Sequence, residues 1–207
     1  MRIIGLTGGI ACGKSSVAGI LAEFGVKICD VDVLAKDAVR AGSSGLRAVV
    51  QEFGVTFLDP NGELNREKLG AVVFNDPPAR RRLEKIIHPL VRRAVEEQLA
   101  VWQREGIEVA AVMAPLLLET GMEKMVDEVW VVLTPTEVQV ERLIRRNGLS
   151  KEAALSRMAA QWSQEEKRQR ADLVILNDGS PVDLAAKVSD IWAARFGSSV
   201  MDHHGGR

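Results

Sequence analysis

The sequence predicts an α/β protein built on a five-stranded parallel sheet with helices on both faces. Three observations predict it. Apolar runs begin near residues 3, 26, 107, 128 and 172, and helical stretches separate each run from the next. The run at 107 (IEVAAVM) is apolar throughout, as suits a strand in the middle of such a sheet. The first run passes into its helix through a glycine-rich turn, and right-handed crossovers fix most of the remaining topology.

The first element, residues 3 to 24, carries the plainest chemistry. Ile3 to Leu6 reads as a short strand, and a helix follows the turn. Within the turn, Gly8, Gly13, Lys14 and Ser15 fit G-x-x-x-x-G-K-[ST], the phosphate-binding P-loop. Gly8, Gly9 and Gly13 let the backbone curl with its N–H groups inward, where side chains would block a phosphate. The helix start adds unpaired N–H groups and the positive dipole end. Lys14 is expected to reach the β- and γ-phosphates, and the Ser15 hydroxyl to bind Mg²⁺. A glycine-rich turn with a surface lysine is the plain alternative. The strand before and the helix after favour a nucleoside triphosphate.

Val26 to Cys29 is the second run, ending in Asp30-Val31-Asp32. Ligands of open α/β sheets sit at the carboxyl ends of strands, so two carboxylates there suit chemistry. An extended backbone would point Asp30 and Asp32 to the same side. Either could instead cap the helix expected over Val33 to Arg40. Helices are also expected over Ser43 to Phe53 and from Asn65 through Phe74. Asp59-Pro60-Asn61-Gly62 is a turn signal that also fits D-x-x-G. Asp76 should cap a long helix reaching about Arg104, which Pro89 should kink or divide. Arg80, Arg81, Arg82, Lys85, Arg92 and Arg93 along it make either a solvated face or a phosphate-binding wall.

After the third strand stands Ala114, where many P-loop enzymes have a carboxylate holding Mg²⁺. Glu128 to Leu133 is the fourth strand, and Pro135 to Arg146 the next helix. Arg142, Arg145 and Arg146 share one face of that helix, which Asn147-Gly148 ends. Ser150 caps a helix carrying Arg157 and Gln161, and Ala171 to Leu176 is the last strand. A closing helix ends near Phe196, and residues 197–207 are expected to be a disordered tail.

Charge is nearly balanced, with 27 Lys and Arg against 28 Asp and Glu, so nothing draws the chain generally to nucleic acid or membrane. Two cysteines, Cys12 and Cys29, make no disulfide framework. With no signal peptide or membrane span in the sequence, a cytoplasmic protein is expected. For Cys12, the loop's N–H groups and Lys14 argue for a reactive thiolate, and a small side chain turned inert into the core is the alternative.

Together LTGGIACGKS, ICDVD, IIHPLV, PLLLE, the pair Arg142 and Arg146 before NGLS, and VILNDG resemble dephospho-coenzyme A kinase over nearly the whole chain. IIHPLV and PLLLE, in this order, are more specific than the P-loop, which many functions share. The resemblance implies ATP-dependent phosphorylation of the ribose 3′-hydroxyl of dephospho-coenzyme A, the final step to coenzyme A. It implies one kinase domain over 1–196, with core segments 1–32, 105–135 and 171–196. A helical substrate-binding insertion would fill 33–104, and a lid 136–170.

By position, the resemblance makes Gly8, Gly9, Ile10, Ala11, Cys12, Gly13, Lys14, Ser15 and Ser16 the ATP phosphate loop. Asp32 matches the general base, with Asp30 its partner, and Arg142 and Arg146 match lid arginines that join Lys14 in catalysis. Asn177 lies in the stretch lining the adenine, and Asp30, His88 and Glu119 fall on the acceptor side. Cys12 replaces a common serine, and Ala114 leaves Mg²⁺ to Ser15, phosphate oxygens, water and Asp32. The implied partners are ATP and dephospho-coenzyme A, without nucleic acid or membrane, in a monomer or small homo-oligomer. The rivals are another P-loop kinase, a nucleic-acid ATPase, and a GTPase switch. The last lacks any N-K-x-D motif here.

Overall fold

The five apolar runs are the five strands of one parallel sheet, lying side by side in the order second, third, first, fourth, fifth. The computed structural model describes residues 1–197, so the expected tail lies outside the described residues from 198 onward. The chain runs through β1 (Arg2–Gly8), α1 (Lys14–Glu23), β2 (Lys27–Asp30), α2 (Val31–Asp37), α3 (Ser44–Phe53) and α4 (Arg66–Asn75). It continues with α5 (Pro77–Arg104), β3 (Val109–Met113), β4 (Glu128–Leu133), α6 (Thr136–Asn147) and α7 (Lys151–Ala159). The last elements are α8 (Gln164–Arg168), β5 (Leu173–Leu176) and α9 (Pro181–Phe196). No described helix is long and apolar enough to cross a membrane.

Strand β1 lies between β3 and β4, with Ile4 opposite Ala111 on one side and Leu6 opposite Trp130 on the other. This central place explains its burial from Ile4 to Gly8. The chain divides into two compact units, Asp30–Val101 and the remainder on either side of it. In the sheet unit, Ile4, Leu6, Val17, Leu21, Trp130, Val132, Val188 and Trp192 form the core. Trp192 stacks between Phe24 and Phe196, at 5.5 Å and 4.3 Å. The buried carboxylate of Glu128 is bracketed by Arg2, at 3.2 Å, and Arg195. The helical unit has its own smaller core of Val39, Val49 and Leu69, with Phe53, Phe57, Leu83 and Ile87 around it.

Several local expectations change. The backbone does not stay extended through Asp32. Helix α2 begins at Val31 because Asp30 caps it, its Oδ1 accepting the N–H groups of Asp32 at 2.9 Å and Val33 at 3.4 Å. The shared side expected for Asp30 and Asp32 is therefore absent, and Asp32 sits in the first turn of the helix. Pro89 does not divide α5. The ring removes one backbone bond, while Ala79, Val91, Val95 and Leu99 keep one apolar face buried on both sides of it. Asp59 is turn chemistry, its carboxylate accepting from Asn61 and Glu63 at 2.9 Å each. On the basic run of α5, Arg80 is ion-paired with Glu84 at 3.7 Å, Arg82 with Glu52 at 2.8 Å and Arg93 with Glu97 at 2.8 Å. Helix α8 was not foreseen; Ser163 and Glu166 start it with a reciprocal capping box.

Candidate active site

Strand β1 delivers the chain to Gly8, and six residues later α1 opens at Lys14. Gly13 caps α1 in the left-handed region (φ 96°), and no side chain caps the helix there. A glycine at this position brings no capping side chain of its own to the start of α1, where the dipole's positive end suits an anion. Two glycines are required by space as well as by angle. A Cβ on Gly8 would lie 2.4 Å from the Val132 carbonyl oxygen, and one on Gly13 would lie 2.1 Å from Asn177 Nδ2.

Between them Ala11 is left-handed too (φ 62°), a conformation that a non-glycine residue keeps only when its neighbours impose it. Three side chains grip the carbonyls around it. Gln139 Nε2 donates to Ile10 O at 2.7 Å, Arg142 Nη1 to Ala11 O at 3.3 Å, and Asn177 Nδ2 to Cys12 O at 2.7 Å. The Thr134 hydroxyl adds a second bond to Cys12 O at 3.1 Å. Lys14 Nζ folds back on the loop, donating to Gly8 O at 2.9 Å and Gly9 O at 3.0 Å. Its ammonium therefore stays at the loop's inner rim. Ser15 and Ser16 are exposed in the first turn of α1.

Cys12 is fully buried, and Gln139 Nε2 reaches its sulfur at 3.1 Å. Burial raises the thiol above its ordinary range, although Lys14 and the Gly9 backbone pull the other way. Of the two readings of Cys12, burial supports the small side chain turned into the core, since desolvation disfavours the thiolate despite the nearby positive charge.

The remaining residues are placed as follows. Arg142 and Asn177 meet at the P-loop, as their bonds to Ala11 and Cys12 show. Arg146 is exposed on α6 and donates to Asn147 Oδ1 at 3.0 Å. Glu119, after β3, accepts from the buried Lys167 at 2.7 Å and from the Trp162 N–H at 3.1 Å. In the helical unit, Asp30 caps α2, Asp32 follows in its first turn, and His88 is exposed on α5.

Sequence reasoning missed Gln139, Gln164 and Thr134. A signal existed: Gln139 occupies the apolar stripe of α6 beside Val140 and Leu143, where a buried polar residue requires a partner. A cavity of about 410 Å³ opens beside Gly9 and Ile10, lined also by Gln139, Gln161, Trp162 and Gln164.

No group of three or more His, Cys, Asp or Glu that could hold a metal occurs among the described residues. A divalent ion here would need oxygens from a bound nucleotide. The Ser15 hydroxyl at the start of α1 suits such an ion, since Mg²⁺ prefers oxygen donors and keeps several waters.

The dephospho-CoA kinase family model matches residues 2–183. A dephospho-CoA kinase of Geobacter sulfurreducens is 48% identical over 196 residues, covering 95% of this chain and all of the relative. Among solved structures, a Thermus thermophilus protein is similar with a TM-score of 0.75 and 35% identity, covering 95% of this chain and 98% of that one. A dephospho-CoA kinase from Campylobacter jejuni has a TM-score of 0.69 at 31% identity, covering 92% and 96% of the two chains. With the P-loop, the parallel sheet and these relatives in agreement from end to end, the chain belongs to the dephospho-CoA kinase family, enzymes that phosphorylate dephospho-CoA to coenzyme A in the last step of its biosynthesis.

Proposed function

We propose that this chain transfers the γ-phosphoryl group of ATP, with Mg²⁺, to the ribose 3′-hydroxyl of dephospho-CoA. The observation that carries it is the helix start at Gly13, left-handed and without a side-chain cap, with Lys14 turned onto the loop in a chain matched by the family model. The α- and β-phosphates bind the loop N–H groups, and Lys14 neutralises the β- and γ-phosphates. Ser15 holds Mg²⁺, which when bound draws off negative charge from the transferring group.

Asp32 accepts the proton of the attacking hydroxyl. The support is its family-matched position just beyond a strand end, in the first turn of α2. Arg142 and Arg146 meet the charge that spreads over the phosphoryl group during transfer. Residues 136–170 act as a lid that carries these arginines and shuts out water, which would otherwise take the phosphate. Asn177 borders the adenine, and Asp30, His88 and Glu119 belong to the acceptor side. A reducing, cytoplasmic setting accompanies this activity, since Cys12 and Cys29 are both unbridged.

The test is ADP release coupled to a spectrophotometric readout, with ATP, Mg²⁺ and dephospho-CoA, beside adenosine and AMP as acceptors. Turnover with dephospho-CoA alone is expected. Equal turnover with AMP or adenosine would point to a nucleotide or nucleoside kinase instead.

A further inference from the structure

A trans peptide is planar, with its C=O and the next residue's N–H pointing in opposite directions. Fixing one carbonyl outward therefore aims the following N–H inward. In the P-loop this happens at three successive peptides, through Ile10 O, Ala11 O and Cys12 O. The consequence falls on the N–H groups of Ala11, Cys12 and Gly13. The Cys12 N–H is spent within the loop, on Gly9 O at 3.2 Å. Those of Ala11 and Gly13 are thereby directed by the grips on Ile10 O and Cys12 O.

The grip on Ile10 O has a further layer behind it. An amide side chain can present either end, so something must decide which way Gln139 faces. Gln164 decides it. Its Nε2 donates to Gln139 Oε1 at 2.9 Å, so Gln139 must turn its own Nε2 toward Ile10. Gln164 is set in turn by backbone, donating to Thr134 O at 2.8 Å and accepting the Thr134 N–H at 3.0 Å. A backbone N–H and C=O cannot exchange roles, so the orientation is unambiguous. Gln161 closes the other side, accepting the Ile10 N–H at 2.8 Å. Gln139 is itself almost wholly buried, at 1% exposure, and no solvent competes for its amide.

We propose that Gln139 is a positioning residue for nucleotide phosphate, holding the Ile10–Ala11 peptide so that the Ala11 N–H faces the anion, and that Gln164 sets its orientation from the Thr134 backbone. Neither side chain touches the phosphate. Their effect is on the conformational cost of binding it: a loop already holding Ala11 left-handed need not be ordered by the ligand. This rests on the reading of the loop as a nucleotide phosphate site.

The experiment replaces Gln139 by Met, which keeps the length and removes both amide ends, and measures ATP dissociation by calorimetry on the full chain. Melting temperature and the KM for dephospho-CoA are measured alongside. ATP Kd should rise about 10-fold, the scale of one lost buried hydrogen bond plus a looser loop, with acceptor KM changed less than about 2-fold. Gln164→Met should weaken ATP in the same direction by less, and Gln139→Met/Gln164→Met should be no worse than Gln139→Met alone. Unchanged ATP affinity in folded Gln139→Met overturns the proposal, as does an equal rise in acceptor KM. Should Gln139→Met not fold, Gln164→Met decides alone, and unchanged ATP affinity there overturns it equally. A wild-type chain that does not bind ATP at all would refute the phosphate site itself, a separate and recognisable result.

Discussion

The ammonium of Lys167 is completely buried and lies 2.7 Å from Oε1 of Glu119, joining α8 to the segment that follows β3. It donates as well to the Pro115 carbonyl at 2.8 Å. Removing one partner of such a pair leaves an uncompensated charge, which costs about 3–5 kcal/mol. Lys167→Met should therefore lower the melting temperature by roughly 10 °C. Lys167→Met/Glu119→Gln should recover part of the loss, because the orphaned carboxylate is gone. Differential scanning calorimetry checks both. A Lys167→Met protein melting with the wild type would show that the pair adds no stability.

Lys14→Ala removes the ammonium at the inner rim of the loop and little packing. Turnover should fall on the order of 10³-fold, the usual scale for lost transition-state charge stabilisation. The melting temperature should stay near that of the wild type. A variant turning over within about tenfold of the wild type would remove Lys14 from phosphoryl transfer.

The two aspartates of β2 and α2 separate by their bonds. Asp30 is the helix cap, and Asn caps about as well as Asp, so Asp30→Asn should melt close to the wild type while Asp30→Ala loses about 1 kcal/mol. Asp32→Asn should keep ATP affinity and lose roughly 10²- to 10⁴-fold in kcat, the usual range for a general base. Steady-state rates with melting curves distinguish them, and a dead Asp30→Asn beside an active Asp32→Asn would reverse the assignment.

Arg142 and Arg146 differ in setting although both stand on α6. Arg142 holds the Ala11 carbonyl, whereas Arg146 is exposed beside Asn147. Arg142→Ala should raise KM for ATP and also lower kcat. Arg146→Ala should lower kcat with KM for ATP nearly unchanged. A rise in KM without loss of kcat in both would make them ground-state binders.

Burial raises the Cys12 thiol, so the folded state resists its ionisation. The sign follows: this stabilising contribution is complete below the unfolded thiol value of about 8.5 and is lost as pH rises through the higher folded value. Melting temperature should thus drop on going alkaline, and Cys12→Ala should flatten that drop. Thiol reagents at neutral pH should leave Cys12 unlabelled, with Mg-ATP or without it. Rapid labelling that nucleotide blocks would restore the thiolate.

Much of this was legible beforehand because it depends on local pattern. Strand β4 has the expected bounds, Glu128 to Leu133, since an apolar run in a parallel sheet has one way to be buried. Ser150 caps its helix as expected, and the helices expected from Ser43 and Asn65 start on those residues as caps, a role decided within three residues. The Asp30 cap was one of two local options, and helix formation from Val31 settled it. What stayed hidden depends on residues distant in sequence. Gln139 and Gln164 act across to Ile10 and Thr134, and Lys167 across to Glu119. The sequence contains no periodicity that pairs them. Cys12 was ambiguous for a related reason: nearby charge is visible in the sequence, but depth of burial is not.

The interruption of the sheet unit by Asp30–Val101 has a consequence for synthesis. The inserted unit is contiguous, so its core can assemble as soon as those residues leave the ribosome. The P-loop emerges earlier yet must wait longest. Its floor is Thr134 and Asn177, and its first helix packs beneath Trp192, the ring stacked on Phe24. Arg195 reaches the same Glu128 carboxylate that Arg2 does, so opposite ends of the described chain meet at one buried anion. The phosphate loop is thus among the first parts made and among the last completed. A nascent chain stalled before α9 would carry the whole motif without the fold that gives it shape.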